Sequence, residues 1–165
     1  MSNPRSTASI AGHPIHPMLI PFPIAFFVAV FVLDIAFWRT HDPYWTSVSL
    51  WLLGAGLIMA ALAAAVGVID VLGERHIRQL SAVWWHAGGN VLMVLIQIYN
   101  WYSRYSEGQE AVLPTGLILS LIVVGILLFT GWKGWEMVYL HHVGVSDDQA
   151  QDQMPNRRTA RSAGS

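Results

Sequence analysis

The residues best suited to chemistry in this chain are histidines. His13 and His16 stand three residues apart at the start of a long apolar run, and each is followed by a proline. Proline disfavours the α region for the residue before it, so we expect both histidines on extended backbone at the entrance to a helix. The pattern predicts either a stiff turn at a membrane surface or a pre-organised pair of imidazoles.

The composition is that of a membrane protein. Hydrophobic residues make up 54% of the 165 residues and charged residues 12%, about half the usual charged share. The chain has no cysteine, which excludes disulfides, thiolate metal sites and cysteine-ligated iron–sulfur clusters. A net charge of −1 gives no indication of nucleic-acid binding. The length allows one domain and no separate catalytic module.

Four apolar segments are each long enough for a membrane span of about 20 residues. They cover about residues 18–38, 47–72, 82–102 and 113–137. Because the connectors are short, sequential helices should be antiparallel neighbours. We therefore predict an all-α, integral membrane, antiparallel four-helix bundle over residues 1–145, with both termini on the same side. Residues 146–165 are polar and are predicted to form a disordered tail.

The basic residues indicate the orientation of this bundle. Seven of the nine fall on the side of the termini, namely Arg5, Arg75, Arg78, Lys133, Arg157, Arg158 and Arg161. The other side has Arg39 and Arg104, which we interpret as loop residues, alongside acidic side chains. Since basic residues concentrate on the cytoplasmic side of membrane proteins, both termini are predicted to be cytoplasmic.

The same topology gathers most of the histidines at one membrane face. Six of the seven map there: His13, His16, His76, His86, His141 and His142. Asp70, at the end of the second span, joins them. We interpret His76 and His142 as solvated surface residues. His86 differs because it lies inside an otherwise uncharged span, where an ionisable residue indicates function.

The third span carries further polar residues on one stripe. His86, Asn90, Met93, Gln97 and then Asn100 or Trp101 follow one another at spacings of three and four. Such a stripe should face the bundle interior, where polar groups can pair with one another. Asp34 in the first span lies near the opposite membrane face, with Gln97 and Asn100 as expected partners. We interpret Asp34 as a structural carboxylate, with a proton-relay role as the alternative.

This set of side chains favours metal or haem chemistry. Imidazole is the commonest metal ligand, and a carboxylate often orients it by accepting the second N–H. A b-type haem needs two histidines on opposite walls, which His86 with His16 or His141 would provide. A zinc, iron or copper site would instead draw its ligands from a larger set: His13, His16, His86 and His141. Asp70 and Asn90 are predicted to support either centre. No hydrolytic triad, P-loop or dinucleotide motif is present.

Three stretches of the chain follow a recognisable pattern. They are His13–Pro17 with Leu19–Ala25, His86 with Asn90, and Gly131–Gly134 with Val138–Val145. Together they resemble the bacterial membrane family known as domain of unknown function 2231, over about Gly12–Val145. His142 stands where the ending of that family usually has glycine. The resemblance implies a four-helix protein of the bacterial inner membrane, and it supplies no reaction.

Three functions remain open from the sequence. The first is a membrane redox protein with a histidine-ligated b-type haem near the cytoplasmic face, exchanging electrons with quinone or a respiratory partner subunit. The second is a non-haem metal protein, and the third is a cofactor-free subunit or assembly factor. All three have the lipid bilayer as a partner and allow a homo-oligomer.

Overall fold

The structure is a computed structural model that describes residues 8–10, 13–73 and 75–140. Within these ranges the chain is almost entirely helical. It starts with a short antiparallel ribbon of two strands, β1 (Ser9–Ile10) and β2 (His13–Pro14). The α-helices that follow are α1 (Ile15–Leu19), α2 (Pro21–Thr40), α3 (Pro43–Gly73), α4 (Arg75–Arg78), α5 (Ser81–Glu107) and α6 (Leu117–Tyr139).

Among the described residues, three helical stretches are long and apolar enough to cross a membrane. They are Ile15–Thr40, Pro43–Gly73 and Ser81–Tyr139. The first stretch combines α1 and α2 through Ile20, whose backbone is helical with φ −54° and ψ −39°. Pro21 has no N–H to donate to the preceding turn, which weakens this junction, as the sequence predicts.

The turn between α2 and α3 takes only two residues. His41 ends α2 in a left-handed conformation with φ 56°, and its N–H donates to the Phe37 carbonyl at 2.7 Å. Asp42 caps the start of α3, because its Oδ1 accepts the Tyr44 N–H at 2.9 Å. Pro43 takes the first helical position, where no N–H is needed. This tight turn makes α2 and α3 an antiparallel hairpin.

The third long stretch is bent and folds back on itself. After α5, a 3₁₀ turn (Gly108–Ala111) and a π-helical turn (Val112–Gly116) lead into α6. Leu113 breaks the helix there with extended backbone, at φ −123° and ψ 132°. Side chains near the start of α5 contact the end of α6, and side chains near the end of α5 contact its start. The two helices therefore form a second antiparallel hairpin.

The two hairpins pack against each other around an apolar core. The core side chains are Phe27, Val30, Leu53, Ala60, Met93, Val123 and Leu127. Many outward-facing side chains are apolar as well, and Val32, Leu95 and Leu128 are 56%, 59% and 73% exposed. Lipid is as apolar as these side chains, so burial alone does little to hold the helices together in a membrane. Polar contacts inside the bundle therefore carry more of the specificity.

The all-α prediction is confirmed, while several boundaries differ from the predicted ones. The helix predicted to end at 102 continues to Glu107, and the helix predicted to begin at 113 begins at Leu117. His13 has the expected extended backbone, but His16 lies inside α1. The steric preference imposed by Pro17 is a tendency, and at His16 the surrounding contacts override it. The predicted disordered tail lies outside the described residues.

Candidate functional site

Two of the predicted ligand histidines approach each other near one end of the bundle. The ring centroids of His16 on α1 and His86 on α5 are 6.4 Å apart, and the ring planes make an angle of 77°. Both side chains are half-buried. The two rings belong to different hairpins, because α1 leads into the α2–α3 hairpin while α5 opens the second one. They therefore span the interface between the hairpins.

Each ring is held by a backbone carbonyl of the helix beside it. His16 Nδ1 lies 2.8 Å from the Ala63 carbonyl oxygen on α3, and His86 Nδ1 lies 2.9 Å from the Thr130 carbonyl oxygen on α6. A carbonyl oxygen only accepts, so each Nδ1 carries the hydrogen and donates it. In a neutral imidazole the lone pair then lies on Nε2. Both rings are thus oriented, with Nε2 as the nitrogen able to bind a metal.

Two glycines give these rings their space. A Cβ added at Gly67 would lie 3.1 Å from His16 Cε1, closer than ordinary contact distance. A Cβ added at Gly134 would lie 3.6 Å from Cε1 and Nδ1 of His86, an ordinary van der Waals contact. Both glycines therefore leave room for an imidazole, and the fit is tighter at Gly67.

The structure describes less of the other two predicted ligands, His13 and His141. His13 lies on β2, one of the strands next to α1, and its backbone alone is described. His141 lies outside the described residues. Among the residues that the structure describes, no three His, Asp or Glu side chains are grouped closely enough to hold a metal ion. The four-histidine metal site therefore stays a prediction.

The two residues predicted to support the ligands contact backbone groups. Asp70 Oδ1 accepts the Ala8 N–H at 2.8 Å. Asn90 Nδ2 donates to the His86 carbonyl oxygen at 2.9 Å, one turn earlier on the same helix. For the ring nitrogens, the carbonyls of Ala63 and Thr130 perform the orienting role expected of a carboxylate. Sequence reasoning cannot identify such partners, because every residue has a carbonyl.

A second polar site lies about 27 Å from His86 along the axis of α5. There the Arg104 guanidinium binds the Asp34 carboxylate through two bonds, Nη1 to Oδ1 at 2.6 Å and Nη2 to Oδ2 at 2.7 Å. Arg104 is 3% exposed and Asp34 is fully buried. Paired charges of this kind are costly inside a membrane protein unless every polar group has a partner.

The partners of Arg104 meet that requirement. Its remaining N–H groups donate to Asn100 Oδ1 at 3.0 Å, Ser49 Oγ at 2.7 Å and Ser120 Oγ at 3.4 Å. All five guanidinium N–H groups are therefore used. We call the set Asp34, Ser49, Asn100, Arg104 and Ser120 the polar clamp. It draws side chains from α2, α3, α5 and α6, so it fixes all four long helices at this end.

The polar clamp corrects two expectations from the sequence. Arg104 is a buried helical residue, not a loop residue, because α5 continues past the predicted end of the span. Asp34 pairs directly with Arg104 and Ser120 instead of Gln97 and Asn100. Asn100 joins the network by contacting Arg104, and Gln97 by accepting from Asn100. The signal that could have located Arg104 is its spacing of four from Asn100. A fully bonded guanidinium supports the structural interpretation of Asp34.

Two neighbouring glycines on α5 provide a matched test of the packing between α5 and α6. A Cβ at Gly89 would overlap Thr130 Cγ2 on α6, whereas a Cβ at Gly88 meets nothing within 4 Å. We expect Gly89→Ala to destabilise the fold by about 1–3 kcal/mol through overpacking, and Gly88→Ala to have little effect. Equilibrium unfolding in mixed detergent micelles measures the stability of both variants. Equal stability of the two would contradict the close contact between α5 and α6.

One of three comparisons with known proteins finds a match. No curated protein and no solved structure matches the chain. A family model described as predicted membrane protein, DUF2231, matches residues 12–147. The matched region contains the helices, the two facing histidines and the polar clamp. The chain is therefore a multi-pass membrane protein and belongs to the family DUF2231.

Proposed function

We propose that this protein carries a b-type haem between His16 and His86 and transfers electrons within the membrane. The observation that carries the proposal is the pair of imidazoles, 6.4 Å apart, that reach across from two different hairpins. Each is oriented by a carbonyl bond on Nδ1, which leaves Nε2 for a metal. Two imidazoles of this kind would supply the protein ligands of one haem iron.

The number of ligands among the described residues suits a haem. A zinc or copper site takes three or four protein ligands, whereas a porphyrin supplies four nitrogens and leaves only the axial positions to the protein. The described residues offer two oriented imidazoles and no group of three. The donor set therefore fits a haem with no further ligand.

The distance between the rings is also compatible with ligation. Metal–imidazole bonds are about 2.0–2.1 Å long, so two imidazoles on opposite sides of one metal have ring centres about 6 Å apart. The observed 6.4 Å lies close to this value. Perpendicular ring planes are allowed, because each plane needs only to contain its own metal–nitrogen bond.

The residues around the pair would hold and insulate the centre. The carbonyls of Ala63 and Thr130 fix the ring orientations, and the fit of Gly67 against His16 restricts movement of that ring. When bound, a haem supplies one-electron transfer, with a potential set by its axial ligands and surroundings. The apolar helices beside the pair would lower the local polarity. Electrons would pass to or from a quinone or a partner subunit.

The proposal includes a topology and a location. Two antiparallel hairpins correspond to four crossings of a bacterial inner membrane, with both termini on the cytoplasmic side and the histidine pair near that face. Burial of Arg104 leaves Arg39 as the exposed basic residue at the opposite end of the described helices. This strengthens the charge bias on which the orientation depends.

Optical spectroscopy of protein purified in detergent tests the function. We expect a Soret band and, after reduction with dithionite, a sharp α-band, with about one haem per chain or per homo-oligomer interface. Elemental analysis of the same sample separates the alternatives. Stoichiometric zinc, copper or iron without haem bands would favour the non-haem metal site. Neither metal nor haem in protein expressed with excess haem precursor would contradict the proposal and favour the cofactor-free subunit.

A further inference from the structure

Asp70 lies on α3 at the same end of the bundle as His16. We infer that Asp70 is a positioning residue for His16, acting through the backbone of Ala8, which fixes the start of α1. The inference rests on the proposed function for the role of His16 as a ligand. The geometry of the attachment stands independently of what the site binds.

Two hydrogen bonds in series, followed by one peptide bond, connect the carboxylate to the histidine. Asp70 Oδ1 accepts the Ala8 N–H at 2.8 Å, and the Ala8 carbonyl oxygen accepts the Ile15 N–H at 3.0 Å. Ile15 is the first residue of α1, and His16 follows it directly. The same segment is closed by the ribbon, in which Ile10 pairs with His13. Ala8 thus links α3 to the start of α1.

One stripe of α3 provides three attachments of this segment. Ala63, Gly67 and Asp70 are spaced by four and three residues, so they lie on the same face of the helix. The Ala63 carbonyl binds the His16 ring, Gly67 packs against that ring, and Asp70 binds Ala8 about two turns away. Asp70 therefore extends the face of α3 that contacts His16.

The segment needs such an attachment. α1 has only five residues, and a helix of this length is not stable by itself. Its junction with α2 is weakened at Pro21 and Pro23, which lack the N–H groups that would bond back to α1. Asp70 adds a backbone attachment to the hydrogen bond with Ala63 and the contact with Gly67, which hold the His16 ring itself. Loss of the carboxylate should therefore release His16 while the long helices stay folded.

Hydrogen exchange and haem affinity together test this inference. In Asp70→Ala we expect amide protection over residues 13–20 to fall at least about tenfold, and haem affinity to fall about 10–100-fold, as for other groups that position a ligand. Asp70→Asn keeps an oxygen acceptor and should retain both properties. Ala8→Pro removes the N–H donor and should reproduce Asp70→Ala. Glu107→Ala, an exposed carboxylate at the far end of α5, is the control.

The outcomes separate this inference from the proposed function. If wild type binds no haem, the proposed function fails, and the exchange data alone decide the role of Asp70. Equal protection over residues 13–20 in Asp70→Ala, Ala8→Pro and Glu107→Ala would overturn the inference, as would lost protection with unchanged haem affinity. If Asp70→Ala does not fold, Ala8→Pro carries the test. In the double variant of Asp70→Ala with Ala8→Pro, a loss of amide protection no larger than in either single variant would confirm that both changes break the same hydrogen bond.

Discussion

Replacement of Arg104 with alanine is expected to destabilise the folded protein by about 3–5 kcal/mol. The change leaves the Asp34 carboxylate buried without its guanidinium partner, and it removes donors to Ser49, Asn100 and Ser120. Because the polar clamp joins all four long helices, the loss should affect the whole bundle. Equilibrium unfolding in mixed micelles, monitored by circular dichroism, measures this loss of stability.

Two further variants make the cause of this loss clear. Arg39→Ala removes an exposed arginine at the same end of the bundle and should change stability by less than about 1 kcal/mol. The double variant Asp34→Leu with Arg104→Met removes both charges together, and it should recover most of the stability. A loss in Arg104→Ala no greater than that in Arg39→Ala would show that the clamp does not hold the helices together.

Replacement of either facing histidine should remove the haem. Loss of a residue that only orients a metal ligand typically lowers metal affinity about 10–100-fold. Loss of the ligand itself, in His16→Ala or His86→Ala, should lower haem affinity by at least that factor. Added imidazole should restore much of the spectrum, because it can occupy the space left by the missing ring. Haem content and reduced spectra of the purified variants measure both effects.

The control for these variants is the histidine at the other end of the bundle. His41 is exposed and adopts a left-handed conformation, which asparagine tolerates, so His41→Asn should retain full haem content. If His16→Ala and His86→Ala also retain it, neither residue is an axial ligand. Loss in one of them alone would identify a single ligand and direct the search for the second to His13 or His141.

The stripe on α5 shows what the sequence can predict. Spacings of three and four placed His86, Met93, Gln97 and Asn100 on one face, and the structure buries the last three completely or almost completely. Convergence of His16 and His86 at one end also followed from topology. Both conclusions depend on helical periodicity and on short connections, which a single sequence displays directly.

Arg104 shows where such reasoning stops. The residues after Tyr102 are polar and contain a glycine, so they read as a loop, and a charge in a loop is expected to be solvated. The arginine has a place inside the bundle because Asp34, Ser49 and Ser120 accept its hydrogen bonds there. The carbonyls that hold the histidine rings are invisible for a similar reason. Their role depends on the distance between helices, which the sequence does not state.

Near-infrared magnetic circular dichroism of the oxidised, haem-loaded protein tests the central claim most directly. This spectrum reports the pair of axial ligands on a low-spin haem iron. We predict the signature of two imidazoles in wild type and its loss in both His16→Ala and His86→Ala. A signature of one imidazole with water, or a two-imidazole signature that survives either substitution, would contradict a haem held between His16 and His86.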